Sequence, residues 1–205
     1  MKTRIKVALT INILMIIFEI AGTWISYSNS GISNLVFYTV DSNILAFISC
    51  VAFVIMCLMN KNSRAVSMLR YIATINLALT FTIVVFVFVP MCVPYGFDAV
   101  ADILYRGPQI FHHVLCPILS FVSFAFFEEN EIINRKNSAF AVIFTLLYAV
   151  VTLTLNILKV LEGPYPFLYV YKQPVWASVM WFVLIPLIAY GYSLLIGFIY
   201  TKKNK

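Results

Sequence analysis

Charge is what this chain has least of: Asp, Glu, Lys and Arg make up 11% of its 205 residues, against about a quarter in an ordinary soluble domain. That scarcity excludes a water-facing globular surface. No Gly-, Ser- or Pro-rich stretch is long enough to serve as a linker, so the chain reads as one unit, residues 1–205, with no second domain. Its four cysteines, Cys50, Cys57, Cys92 and Cys116, contain no CxxC pair and no metal-ligand spacing, which excludes a dithiol redox motif and a zinc module. Phosphate-loop and dinucleotide fingerprints are missing too, so no cofactor and no metal is expected. The formal net charge of +6 is dispersed through short joints, so it forms no basic patch and nucleic acid is not expected as a partner.

What the chain does have is apolar length. Hydrophobic residues make up 62% of it, in runs that match the roughly 20 residues needed to cross a bilayer. Breaks at charge, Pro and Gly place spans near 6–27, 36–59, 68–90, 109–127, 138–159 and 175–200. The expected fold is all-α: a polytopic bundle of six transmembrane helices. The first run, behind Lys2, Arg4 and Lys6, resembles a secretory signal, but it extends to about Tyr27, carries Glu19 and lacks a small-x-small cleavage site. It is therefore read as a retained span.

Basic residues set the orientation. With the N-terminus inside, eleven of the fourteen Lys and Arg residues are cytoplasmic, Arg70 being counted with Lys61 and Arg64 at the second joint, and only Arg106, Lys159 and Lys172 fall outside. The positive-inside rule thus predicts both ends in the cytoplasm and a multi-pass protein of the cell membrane, surrounded by membrane lipids. Trp24, Tyr27, Tyr38, Tyr95, Tyr105, Tyr165, Tyr169, Tyr171 and Trp176 fall near the outer boundary, as an interfacial aromatic belt would.

Ionisable and strongly polar side chains inside spans are costly and ask for a partner or a task. They collect at one depth: Glu19 in the outer part of the first span, Thr39, Asp41, Ser42 and Asn43 at the start of the second, His112 and His113 at the start of the fourth, Asn156 and Lys159 at the end of the fifth. The inner halves of the spans are nearly free of such groups away from the boundary. Read singly, the hydroxyl and amide residues are helix-to-helix glue; read together, they predict an outward-opening polar pocket. Thr39, Ser42 and Asn43, at i, i+3 and i+4, share a helix face that Asp41 does not. Adjacent histidines diverge by about 100°, so only one is expected to point squarely into the pocket. Pro117 cannot donate to the carbonyl of His113, so the fourth span is expected to bend or loosen there. Unpaired amides at the N-termini of spans two and four are expected to favour negative charge.

Three stretches carry a family resemblance: FYTVDSNILAF (Phe37 to Phe47), HHVLCP (His112 to Pro117) and PYPFL (Pro164 to Leu168). In this order, on a six-helix layout, they resemble the bacterial six-span membrane proteins related to the androgen-induced and androgen-dependent membrane hydrolases of animals. The resemblance implies an intramembrane hydrolase that cleaves a fatty-acid-ester-like lipid with a threonine nucleophile and a histidine base. Carried over, the nucleophile is Thr39 and the base His113 or His112. Asp41, Ser42 and Asn43 follow the bacterial form of the first motif, whose substrates the animal chemistry does not imply. In that scheme Asn43 or the first-turn amides hold the oxyanion, Asp41 or Glu19 orients the imidazole, and Tyr165 and Phe167 cap the pocket from the outer loop. The alternative is a non-enzymatic carrier or receptor that binds a small lipid or amphiphile in the same pocket. A third reading makes the polar layer a packing device only.

Overall fold

Apolar runs surrounded by hydrocarbon satisfy their backbone groups by coiling. The computed structural model of the chain describes residues 3–128 and 132–203; Lys2, Glu129, Glu131 and Lys205 lie outside the described residues. It contains α1 (Thr3–Asn29), α2 (Tyr38–Leu58), α3 (Arg64–Tyr95), a short α4 (Phe97–Leu104), α5 (Ile110–Phe127), α6 (Arg135–Ile157) and α7 (Val175–Lys202). All but α4 are long and apolar enough to cross a membrane, and no strand occurs among the described residues. The protein is thus an all-α, multi-pass bundle whose spans match the expected ones to within five residues. Six crossings bring both termini to one end, the terminal end; the opposite end holds both histidines and is called the histidine end below.

Helix α3 is the axis. Over half of its apolar window, 56%, is buried, against 17–44% for the other spans, because α2, α5, α6 and α7 all pack on it. Its faces carry Tyr71, Ala73, Ile75, Leu77 and Leu79 into the core, and small residues such as Ala46 and Ala73 let neighbouring backbones approach. Hydroxyl pairs cross the gaps: Thr74 Oγ1 to Ser120 Oγ at 2.8 Å, and Ser42 Oγ to Thr80 Oγ1 at 3.2 Å.

Two prolines change the winding of their helices, whereas Pro186 sits inside α7 with no such turn. Immediately before Pro117 the chain forms a π-helical turn, Ile110–Leu115, in which the Cys116 N–H reaches back five residues to the Phe111 carbonyl. A similar turn, Val84–Phe88, precedes Pro90, with the Val89 N–H on the Val84 carbonyl. A proline offers no N–H to the carbonyl four residues back. The wider turn resolves this by letting the preceding residue bond further back, and such turns recur at functional positions. Both histidines sit in the first of them.

Two expectations about polar residues need correction. Tyr38 and Tyr165 do not join an interfacial belt: they are 8% and 9% exposed. The Tyr38 hydroxyl is spent in a network with Asn76 Oδ1 (2.5 Å) and Thr145 Oγ1 (2.9 Å). Trp24, Tyr95 and Trp176 do remain exposed, as a belt requires. Nor is Arg70 a surface topology signal. It is fully buried, with Nη2 2.8 Å from Glu128 Oε1 and Nε donating to both Glu128 oxygens, while Nη1 reaches Ser49 Oγ and Cys50 Sγ, each at 3.3 Å. Asn12 and Ser123 also donate to Glu128 Oε1, at 3.2 and 2.8 Å. The terminal half of the bundle is therefore not empty of charge. Its charge is concealed in a buried network that joins the first four spans.

Candidate functional site

Thr39 is the second residue of α2, delivered by the 3-10 turn Gly31–Val36 and an extended Phe37. From there it enters the wall of a cavity of about 480 Å³ at the histidine end, and His112, His113 and Tyr165 line the same cavity. Ser26, Asn29, Asn34 and Gln109 add amide and hydroxyl groups, while Phe37, Phe88 and Met91 add apolar surface. Thr39, Phe88 and Tyr165 also line a narrower apolar crevice of about 50 Å³ with Leu79, Ile83, Phe167 and Ile185. Thr39 thus stands in the wall between a chamber of mixed polar and apolar lining and an apolar slot.

The histidines diverge as adjacent residues must, yet both reach the chamber. His113 Nδ1 lies 2.6 Å from the carbonyl oxygen of Ile103, in α4. A carbonyl only accepts, so the proton of the neutral ring sits on Nδ1 and Nε2 is left with its lone pair. His112 turns its Nε2 towards α1, 3.8 Å from Glu19 Oε2, beyond hydrogen-bond reach. Gly22 makes that position possible: a Cβ there would fall 2.6 Å from His112 Nε2. We expect Gly22→Ala to overpack the bundle at a cost of roughly 1–3 kcal/mol and to lower the melting temperature in detergent. Gly191→Ala, where an added Cβ meets nothing within 4 Å, serves as the near-neutral control; equal melting temperatures for the two variants would contradict this.

Tyr165 touches Thr39 most directly. Its hydroxyl accepts from the Thr39 N–H at 3.3 Å and lies beside the Thr39 side chain. Burial pushes the phenol up from its ordinary value, the Thr39 hydrogen bonds oppose the shift, and nearby Asp41 adds to it. The ring is therefore a neutral O–H donor across the physiological range. Stacking on Phe88 and Phe167, with centroids 5.6 and 5.2 Å away, holds it in place. Among the described residues no hydrogen bond joins Thr39 to either imidazole; such bonds commonly close only around substrate.

The remaining candidates divide. Asn43 is buried beneath the chamber, its amide N–H groups spent on the carbonyls of Thr39 (2.7 Å) and His112 (3.3 Å), so it clamps α2 to α5 and has no donor left for an oxyanion. Ser42 bonds Thr80 and the Thr39 carbonyl. Asp41 lines neither the chamber nor the slot, and Phe167 lines only the slot. Asn156 is not in the site: it bonds the Glu162 carbonyl and accepts from Val170 N–H at 3.3 Å, pinning the loop between α6 and α7. Most of the expected unpaired amides are also taken. Tyr38 N–H goes to Tyr148 Oη (3.2 Å), Val40 and Asp41 N–H to the Phe37 carbonyl, and Phe111 and His112 N–H to the Pro108 carbonyl.

Sequence reasoning missed Gly22, Phe88 and the Ile103 carbonyl. Gly22 carried a usable signal, being three residues beyond Glu19 and so on its helix face; a backbone carbonyl carries none. Fold and cavity together define a multi-pass helical membrane protein with a chamber of mixed polar and apolar lining sunk into one end of its bundle. No protein-family model, curated protein or solved structure matches the chain, so the likeness to the six-span hydrolases rests on the three motifs themselves.

Proposed function

We propose that this protein is an intramembrane lipid-ester hydrolase of the six-span threonine hydrolase type, with Thr39 as nucleophile and His113 as general base. It sits in the cell membrane with both termini in the cytoplasm and the chamber near the outer leaflet. The orientation is supported by the ten Lys and Arg residues, buried Arg70 set aside, that the sequence assigns to the terminal end, among which Lys2 and Lys205 lie outside the described residues. The observation that carries the catalytic reading is that Thr39 and His113 line one cavity while the Ile103 carbonyl holds the His113 proton on Nδ1.

In this mechanism His113 Nε2 takes the proton of the Thr39 hydroxyl as Oγ1 attacks the ester carbonyl. The tetrahedral oxyanion accepts from the Tyr165 hydroxyl, a group held against Thr39 and kept protonated by burial. The carbon–oxygen bond to the alcohol then breaks, and that alcohol leaves with the proton from His113. Water, deprotonated by the same Nε2, attacks the acyl-threonine and releases the fatty acid. The apolar slot beside Thr39 suits the first carbons of an acyl chain.

The test is labelling of the purified protein by an alkyl fluorophosphonate, which traps an activated hydroxyl. The wild type is expected to label at Thr39, Thr39→Ala not at all, and His113→Gln far more slowly. Labelling of Thr39→Ala at the wild-type rate would remove Thr39 from the mechanism. Saturable lipid binding with neither labelling nor product release would instead support the carrier reading.

A further inference from the structure

The walls of the chamber say what kind of ester belongs there. Among the described residues lining it, none is Lys, Arg, Asp or Glu. The cations nearest in sequence to its walls are all engaged elsewhere. Arg106 pairs with Asp98 and with Asp102 (2.8 Å), Lys172 pairs with Glu162, and the Lys159 ammonium lies 5.2 Å from the centre of the Tyr171 ring. At the helix N-termini that would otherwise welcome an anion, the Tyr38, Thr39, Val40, Asp41, Phe111 and His112 amides are spent on Tyr148, Tyr165, Phe37 and Pro108. A phosphate or carboxylate held against these walls would give up part of its water and gain no counter-charge from them, which is unfavourable.

An uncharged polar group meets the opposite situation. The side chains of Asn29 and Gln109 make no hydrogen bond among the described residues, and Asn34 has committed its amide N–H to Ser26 while its Oδ1 accepts from none of them. Primary amides offer donors and acceptors together, the pairing that vicinal hydroxyls need. A volume of about 480 Å³ lies within the range of small-molecule sites.

We infer that the ester held in this chamber has an uncharged, polyhydroxylated head of the glycerol or sugar type, bound by amide side chains, and that lipids with phosphate-bearing heads are rejected. This rests on the hydrolase reading for the position of the ester bond, but the selection of the head is a property of the chamber alone.

The two are separated by measuring binding in the Thr39→Ala protein and turnover in the wild type. Native mass spectrometry of detergent-solubilised Thr39→Ala is run with monooleoylglycerol, oleoyl lysophosphatidic acid and oleoyl lysophosphatidylcholine. Monooleoylglycerol is expected to bind at least about tenfold more tightly than either phosphate-bearing lipid, and adding Gln109→Lys to supply a cation is expected to close most of the gap to lysophosphatidic acid. Equal or tighter binding of a phosphate-bearing lipid overturns the inference, as does failure of monooleoylglycerol to bind. Selective binding without release of oleate by the wild type would sustain the head-group assignment and remove the hydrolase reading.

Discussion

Thr39→Ala is expected to lower ester turnover by on the order of 10⁴-fold or more, the scale seen when a nucleophile acting in concert with its base is removed. Substrate affinity should change little, because the chamber walls and the slot stay intact. His113→Gln should cost roughly 10²–10⁴-fold, the usual contribution of a general base. His112→Gln should cost much less, since its Nε2 faces Glu19 on α1. Thr39→Ser keeps a hydroxyl in the same wall and is expected to retain measurable activity. Release of fatty acid by mass spectrometry, with kcat and KM separated, checks the series. A Thr39→Ala protein within tenfold of wild type, or a larger loss at His112 than at His113, would be incompatible with the proposed roles.

Glu128→Gln is expected to destabilise the bundle by about 3–5 kcal/mol, because it strands the buried Arg70 guanidinium without a counter-charge. Arg70 is 0% and Glu128 2% exposed, so water screens neither. The double variant Arg70→Met, Glu128→Leu should be clearly more stable than Glu128→Gln alone, since a buried pair replaced by apolar residues of similar volume loses both the attraction and the desolvation cost. Thermal unfolding in one detergent decides the matter. A double variant no more stable than the single would mean that this network contributes far more than charge neutralisation.

The six spans were legible because the length and apolarity of a run decide whether it crosses a bilayer, and both are local properties of sequence. The association of Thr39 with the histidines was legible for a related reason: polar residues at one depth in neighbouring spans have few places to go but towards each other. Side-chain direction was not. Tyr38 and Tyr165 stand at the depth of an aromatic belt, and only the tertiary partners Asn76, Thr145 and Thr39 show that they face inward. Arg70 follows Lys61 and Arg64 closely enough to be counted with them, and its burial depends on Glu128, at the end of the next span. Asn156 shares the depth of the site, but the loop it holds folds back within a few residues and claims both ends of its amide. The π-helical winding at the histidines was foreseen only as a bend or a loosening, since a missing N–H says that the pattern must change and not how.

The placement of Arg70 and Glu128 also bears on how the protein is made. The two residues are 58 positions apart, so as the chain is synthesised the third span enters the lipid before its counter-charge has emerged from the ribosome. Until the fourth span follows, a guanidinium destined for the interior must stay near the headgroups or shelter among the first three helices. Stable burial of Arg70 is therefore expected only once the first four spans are in place, and a chain truncated ahead of Glu128 is expected to be degraded faster than the full one, as pulse-chase labelling would show.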